Sequence, residues 1–197
     1  MPTSPNVFII ESLRFEDEKA GYPEGHFISH ILRLAGRQVR YFYIRTRKEL
    51  EEILDQFEDS EFRYLHLSCH ANKKGISLTL DDLSIDELAE LLRPVIAKKR
   101  VFLSACKLAT PELATALMKD SDCYSVIGPN KIIDVDESAL FWASVYHIIF
   151  REDAQSMKRD ALRACVSQAG SLFGLKMRYF SRSKTSKQGW DEVNLDV

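Results

Sequence analysis

The sequence predicts an α/β fold with a mainly parallel sheet and helices on both of its faces. Short apolar runs alternate with amphipathic helical patterns along the first half of the chain, as in successive β-α-β units. Several runs are apolar throughout, which is typical of strands covered on both faces. With 197 residues, of which 45% are hydrophobic and 28% charged, the chain can bury a sizeable core.

Each predicted element has its own local signal. Thr46 with Glu49, and Ser84 with Glu87, have capping-box spacing at the start of a helix. Pro111 directly after Thr110 suits the first turn of another helix. The sequence predicts strands at 7–12, 39–44, 63–70, 76–80, 99–106 and 123–128. It predicts helices that begin near residues 24, 46, 84, 110, 137 and 154.

The regular pattern weakens after residue 170. We therefore expect a single domain over residues 1–170 and a basic C-terminal tail over 171–197, solvated and partly disordered. A basic tail of this kind could also dock a partner, a membrane surface or a nucleic acid. Its basic residues between Ser171 and Trp190 are Lys176, Arg178, Arg182, Lys184 and Lys187.

Two predicted strands each end in a side chain capable of chemistry. The strand at 63–70 ends in His70, and the strand at 99–106 ends in Cys106. A helical pattern separates them, so they are expected to be parallel neighbours with adjacent carboxyl ends, where ligands bind in open α/β sheets. An imidazole beside a thiol can take its proton and so generate the nucleophilic thiolate.

Other interpretations of the same residues remain open. Cys106 could be a small buried apolar residue and His70 a hydrogen-bonded structural residue. A zinc site is conceivable, but the candidate ligands lack the close pairing of zinc knuckles. Those ligands would be Cys69, His70, Cys106 and Cys123. His26 and His30 lie four residues apart on a predicted helix, with no third ligand nearby.

Three segments resemble the caspase-like cysteine peptidases, and the CHAT-type branch most closely. His70 is followed by a short turn and the run Gly75-Ile76-Ser77-Leu78; the strand at 101–106 reads Val-Phe-Leu-Ser-Ala-Cys; and Val126-Ile127-Gly128 precedes an acidic turn and a helix. The resemblance covers about residues 60–150. It implies a three-layer caspase-like fold and a cysteine endopeptidase that cuts one or a few proteins.

The resemblance also implies roles for individual residues. Cys106 would be the nucleophile and His70 the base, and the backbone N–H groups of Ala71 and Cys106 would hold the oxyanion. This family usually has glycine after the histidine, so Ala71 is a departure that is tolerated only where the backbone does not need a positive φ. No acidic residue that orients the imidazole can be named from the sequence.

The resemblance further suggests where the substrate pocket lies. Its candidate lining residues are Glu11, Ser104 and Asp136, with Asp134 as an alternative to Asp136. Two of the three are acidic, so we expect a preference for a basic residue before the scissile bond. Asp136 could instead cap the following helix.

Charge and composition limit the choice of partners and compartments. A net charge of −2 gives no general attraction to nucleic acid, and no apolar run is long enough to span a membrane. No signal peptide is visible, so we expect a cytoplasmic protein with reduced cysteines and no cofactor or metal. The family implies a protein or peptide substrate, an activating or inhibiting protein partner, and a role in regulated proteolysis or bacterial defence.

Two further functions stay open at this point. A caspase-like module with a dead site could act as a protein-interaction domain, and Ala71 is the feature that favours this alternative. A flavodoxin-like nucleotide or regulatory domain would also be α/β. However, no strand is followed by a glycine-rich phosphate loop.

Overall fold

A computed structural model describes residues 4–155 and 157–195. The sheet is mixed and mostly parallel, and its helices cover both faces, which confirms the predicted α/β class. No helix among the described residues is both long and apolar enough to cross a membrane. In chain order the elements are β1 (Ser4–Ser12), α1 (Phe15–Ala20), α2 (Glu24–Leu34), β2 (Val39–Tyr43), α3 (Arg47–Asp59), β3 (Phe62–Asn72), β4 (Gly75–Ser77), β5 (Asp82–Ser84), α4 (Ile85–Leu92), β6 (Arg100–Ser104), α5 (Pro111–Met118), β7 (Ser125–Pro129), α6 (Val135–Glu152), α7 (Arg159–Phe173), β8 (Met177–Arg182) and β9 (Trp190–Val193).

The order of the strands places β3 beside β6. The main sheet runs β2-β1-β3-β6-β7-β8-β9, and its first five strands are parallel. Ser68 of β3 is in register with Ser104 of β6. Because parallel neighbours end at the same edge, the residues that follow these two serines meet at one end of the sheet.

Two apolar cores fill the space between the sheet and its helices. The helices α3, α4 and α5 pack on one face, where Leu54, Leu88 and Leu113 are buried. The helices α2, α6 and α7 pack on the other face, where Ile28 and Trp142 are buried. Alternate side chains along β3 therefore point into different cores, one on each face of the sheet.

The predicted capping boxes are present in the structure. The side chain of Thr46 accepts from the Glu49 backbone N–H, and that of Ser84 accepts from the Glu87 N–H. Pro111 occupies the first turn of α5 behind Thr110. Local chemistry therefore fixes where these three helices begin.

The C-terminal region is more ordered than the solvated, partly disordered tail that the sequence predicts over 171–197. The helix α7 continues to Phe173, and β8 then pairs antiparallel with β7 while β9 pairs antiparallel with β8. Trp190 is 5% exposed, stacks edge-on against Phe180 and donates from its indole N–H to Thr115. Two of the basic residues form ion pairs, Arg178 with Glu192 and Arg182 with Asp122.

Candidate active site

The cleft at the carboxyl ends of β3 and β6 contains both residues of the predicted pair. His70 lies two residues beyond Ser68 on β3, and Cys106 lies two residues beyond Ser104 on β6. Both side chains line the same cleft, which encloses about 80 Å³. That volume suits the end of one side chain together with a few waters.

Cys106 stands in a turn just past the end of β6. The turn is closed by the N–H of Leu108 donating to the carbonyl of Ala105, and Lys107 has a left-handed φ of 60°. The half-buried Sγ of Cys106 lies 3.5 Å from the N–H nitrogen of Ile133 and 3.6 Å from its carbonyl oxygen. A thiol can donate to that carbonyl, and a thiolate can accept from that N–H.

His70 is held by a carboxylate from outside the sheet. Its Nε2 lies 2.6 Å from Oδ2 of Asp17, and both side chains are partly exposed. Asp17 belongs to α1, a helix without buried residues of its own. Since Nε2 faces Asp17, Nδ1 is the ring nitrogen of His70 that has no hydrogen-bond partner among the described residues.

Helix α1 is fastened by its next acidic residue. Glu18 accepts from the hydroxyl of Tyr43, and its two carboxylate oxygens accept from Arg45 at 3.0 and 2.9 Å. These bonds to Glu18 hold the pKa of that carboxyl below its usual range, with the Tyr43 hydroxyl contributing most. The position of Asp17 therefore depends on polar contacts rather than on a buried apolar face.

Ala71 fits the backbone that the structure gives it. It lies within β3 and is paired with Ile76 of the antiparallel strand β4. Among the described residues, the non-glycine positions with a positive φ are Lys98, Lys107, Asp120 and Met157, and Ala71 is not one of them. A Cβ at this position therefore causes no backbone strain.

The floor of the cleft is a buried carboxyl group that the sequence analysis did not identify. Glu24, the first residue of α2, is 7% exposed and lines the cleft. Ser68 donates to its Oε2 at 2.8 Å, and Ser104 donates to its Oε1 at 2.5 Å. Ser138 lies 2.6 Å from Ser104, so with a carboxylate at Glu24 the Ser138 hydroxyl donates to Ser104.

Burial dominates the electrostatics of Glu24. Desolvation raises the pKa of this carboxyl from 4.5 to about 7, although its hydrogen bonds with the three serines oppose the shift. Near neutral pH the Glu24 carboxyl group is therefore ionised in some molecules and protonated in the others. A cation entering the cleft would favour the ionised form.

Glu11 is not part of the cleft lining. It is fully buried, and its carboxylate accepts from the backbone N–H groups of Gly25 at 2.7 Å and His26 at 3.2 Å and from the Tyr41 hydroxyl at 2.7 Å. The carboxylate thus satisfies the first N–H groups of α2, which has Pro23 and no capping side chain. Burial raises the pKa of Glu11, and these donors counteract it.

The two remaining pocket candidates differ in position. Ser104 lines the cleft, where it binds Glu24. Asp136 is exposed in the first turn of α6, whose cleft-lining residues are Val135 and Ser138. Nor does Asp136 cap that helix, because the residue at the N-cap is Asp134. The structure therefore brings Cys106, His70 and Ser104 together and leaves Glu11 and Asp136 outside the cleft lining.

Residues beneath the cleft follow the alternation expected along β3. His66 is fully buried on the same face as Ser68, and its Nδ1 lies 2.9 Å from the hydroxyl of Tyr146. Burial lowers the pKa of His66 to about 3, so its ring is neutral. Cys69 belongs to the opposite core, and burial raises the pKa of its thiol.

No group of three or more potential metal ligands occurs among the residues described.

Sequence reasoning missed Asp17 and Glu24 for different reasons. The sequence predicts a polar loop from Arg14 to Pro23, because Gly21 and Pro23 interrupt helices, and acidic residues in such a loop, including Asp17, are usually solvated. Glu24 looks like an ordinary charged residue at a helix start. A signal was available, however, because Ser68 and Ser104 lie opposite each other near the carboxyl ends of neighbouring buried strands, where hydroxyls need a polar partner.

Comparison with known proteins clarifies the fold. No family model and no curated protein matches the sequence. The structure is similar to a secreted C11 cysteine protease from Bacteroides thetaiotaomicron, with a TM-score of 0.63, 11% identity, and coverage of 92% of this chain and 67% of that one. It is also similar to caspase-1 from Spodoptera frugiperda, with a TM-score of 0.56, 14% identity, and coverage of 99% and 86%.

The chain has the caspase-like fold. A third similar structure, the Arg-specific cysteine proteinase gingipain R, has a TM-score of 0.56 and 13% identity and covers 94% of this chain, which spans 44% of that protein. Two of these three proteins are named as cysteine proteases and the third as a caspase. At these identities the similarity concerns the caspase-like fold alone.

Proposed function

We propose that this protein is a cysteine endopeptidase that uses Cys106 and His70 to cut a protein substrate after a basic residue. One observation carries the proposal: a thiol, an imidazole and a buried carboxyl group line a single cleft at the carboxyl ends of two parallel strands. The caspase-like fold supports it, because its solved neighbours are cysteine proteases.

The chemistry follows from the two reacting groups. His70 takes the proton of Cys106, and the thiolate attacks the scissile carbonyl carbon to give a tetrahedral oxyanion. When this collapses, the C–N bond breaks, the protonated His70 gives its proton to the leaving amine, and a thioester remains. Water, deprotonated by His70, then hydrolyses the thioester and restores the thiol.

The oxyanion would be held by the backbone N–H groups of Cys106 and Ala71. In the part of the chain that the structure describes, the Cys106 N–H has no hydrogen-bond partner of its own and is free to donate. Ala71 follows His70 directly and has an unstrained backbone. Donors fixed before the reaction stabilise a developing oxyanion without reorganisation.

Asp17 would act as a positioning residue for His70. Its carboxylate accepts from the Nε2–H of the ring, which selects the tautomer whose Nδ1 can receive the thiol proton. The same carboxylate stabilises the imidazolium formed when the proton moves. The two-residue mechanism expected from the sequence therefore gains a third participant.

The preference for a basic residue would rest on Glu24 in place of Glu11 and Asp136. Its carboxylate lies at the floor of the cleft, and two hydroxyl donors fix its orientation. An arginine or lysine side chain entering the cleft meets this carboxylate in surroundings with little water, where an ion pair is stronger than at the surface. An acidic side chain would meet it with repulsion.

The finer biological role is also part of the proposal. The resemblance of three segments to the CHAT-type branch supports a processing protease in regulated proteolysis or bacterial defence. A protein partner would control it, and the expected compartment is the cytoplasm. The attachment of α1 through Glu18, Tyr43 and Arg45 offers such a partner a place to act.

The proposal is tested by covalent labelling followed by intact-mass measurement. Wild type, Cys106→Ala, His70→Ala and Glu24→Gln are treated with an arginyl and an aspartyl acyloxymethyl ketone. We expect one label per wild-type chain with the arginyl reagent, none in Cys106→Ala, and strong dependence on His70. Labelling that is indifferent to His70, or absent from wild type, would contradict the peptidase assignment and favour an interaction module.

A further inference from the structure

A second cavity, which lies at the opposite end of the sheet from the cleft and is open to solvent, has four basic residues among the six that line it. It encloses about 310 Å³. Arg100 opens β6, whose last residue, Ser104, lies in the cleft four residues later. At about 3.3 Å per residue, the two ends of this strand are roughly 13 Å apart. The cavity is lined by Arg100, Tyr124, Arg159, Ser181, Arg182 and Lys184.

Arg100 is buried, and no acidic residue among those that the structure describes pairs with it. It is 9% exposed, and one terminal nitrogen, Nη1, donates to the Ser125 hydroxyl at 2.9 Å and to that of Tyr179 at 3.4 Å. Its Nε has no hydrogen-bond partner among the described residues. Its guanidinium also lies 5.6 Å from the centre of the Tyr124 ring. Neutral partners do not compensate a buried positive charge.

The other three cations leave the cavity strongly positive. Arg159 donates to the backbone carbonyl of Arg182 at 2.8 Å, and Arg182 pairs with Asp122 at 2.6 Å. Lys184 is exposed. Among the described residues, Asp122 is the one acid that forms an ion pair with any of the cavity's four basic side chains. Four positive charges and one carboxylate therefore leave an excess of three positive charges.

We propose that this cavity binds a small phosphate-bearing anion. Guanidinium groups match phosphate oxygens in charge and geometry, and three arginines with a lysine supply more donors than a single carboxylate can accept. A doubly charged phosphate also compensates the excess charge better than a carboxylate does. The proposal rests on residues at the far end of the sheet and does not depend on the peptidase function.

A free phosphate compound and a phosphorylated side chain present the same phosphate chemistry to this cavity, and the experiment distinguishes these two sources. Isothermal titration calorimetry at fixed ionic strength compares inorganic phosphate, pyrophosphate and N-acetyl-phosphoserine amide with chloride as the background anion. We expect saturable binding with a dissociation constant below about 1 mM for at least one of the three. The tightest ligand then identifies the source of the phosphate.

Exposed residues supply the variants, since replacing buried Arg100 risks unfolding. Arg159→Gln and Lys184→Gln should each weaken binding by about ten-fold, as expected for a lost charge-assisted hydrogen bond. Lys187→Gln is the matched control, because Lys187 is exposed in the same segment but does not line the cavity. Absence of saturable binding up to about 10 mM of each ligand would overturn the proposal. An equal loss in Lys187→Gln would do the same, because it would show a general charge effect.

Discussion

The carboxylate of Asp17 lies 2.6 Å from Nε2 of His70, so a residue 53 positions earlier in the chain fixes the imidazole of the proposed base. Asp17 belongs to a six-residue helix with no buried residue. The orientation of this imidazole therefore depends on a surface helix, α1, whose Asp17 and Glu18 make polar contacts with the rest of the protein. That dependence gives the first prediction.

Replacing Asp17 by Asn should lower kcat roughly 100-fold and leave KM almost unchanged, because a misplaced base impairs the chemical step more than substrate binding. Steady-state cleavage of an arginyl peptide substrate measures both constants. Asp17→Glu should recover part of the loss, since a carboxylate is restored.

Glu16→Gln is the matched control for this prediction, because Glu16 is an exposed acid on the same helix. It should retain wild-type kcat. If kcat fell by a similar factor in Glu16→Gln and Asp17→Asn, the rate would depend on the charge of α1 and not on the contact between Asp17 and His70.

Glu24→Gln should remove the preference for a basic residue. The rate constant for labelling by the arginyl ketone should fall by roughly 100-fold, the scale of losing one partner of a buried charge pair. Labelling by iodoacetamide, which does not need the cleft floor, should stay near the wild-type rate. An arginyl preference that survives in Glu24→Gln would locate the specificity elsewhere.

The same carboxyl group should make the free energy of unfolding depend on pH. Folding raises the pKa of Glu24 from 4.5 to about 7, so the folded state holds a proton that the unfolded state has lost. This contribution is complete below pH 4.5 and disappears as the pH rises through 7, a change of about 3 kcal/mol. Urea unfolding across this range measures the free energy of unfolding of wild type and of Glu24→Gln. As the pH rises, wild type should lose stability relative to the variant, because only wild type carries the titrating carboxyl group. A difference that does not vary with pH would contradict the assignment.

Ala71→Gly should leave catalysis within about two-fold of wild type. Ala71 already has an ordinary strand conformation, so glycine relieves no strain and adds only backbone freedom that costs about 0.5–1 kcal/mol of stability. Active-site titration and thermal unfolding measure the two effects. A large gain in activity would instead show that alanine impairs the oxyanion site.

Trp190→Ala should destabilise the whole domain by about 3–5 kcal/mol, the usual cost of truncating a large buried aromatic side chain. Trp190 is 5% exposed and packs on Phe180 of the neighbouring strand. Equilibrium urea denaturation provides the measurement, with exposed Lys187→Ala as the control. A change in free energy equal to that of the control would indicate that β9 contributes little to the folded state.

The sequence predicted those parts of the structure whose signals are local. Capping boxes located α3 and α4, and the apolar runs located β1, β3 and β6, because residue pattern and burial coincide there. The meeting of Cys106 and His70 in one cleft followed from the parallel order of their strands. The neighbouring structures confirm the caspase-like fold, whereas the CHAT-type branch stays a prediction.

Features decided by distant contacts could not be predicted in this way. Helix α1 has no apolar stripe, so only its contacts with Tyr43, Arg45 and His70 reveal its place. The strand β8 is interrupted by basic residues and is defined by pairing with β7. The pocket acids named from the strand end and the acidic turn were not those lining the cleft, because α2 delivers Glu24 there and uses Glu11 to satisfy its own N-terminus.

The segment from Asp17 to Glu24 joins two tasks that are usually separate in a protein. In the proposed mechanism, one end of this segment orients the base through Asp17, and the other end places Glu24 at the cleft floor, where it would select the substrate side chain. Under the proposed mechanism, a change that moves this segment as a whole, such as an insertion, a cleavage or a bound partner, would alter rate and selectivity together. A single substitution at Asp17 or at Glu24 would instead separate the two effects.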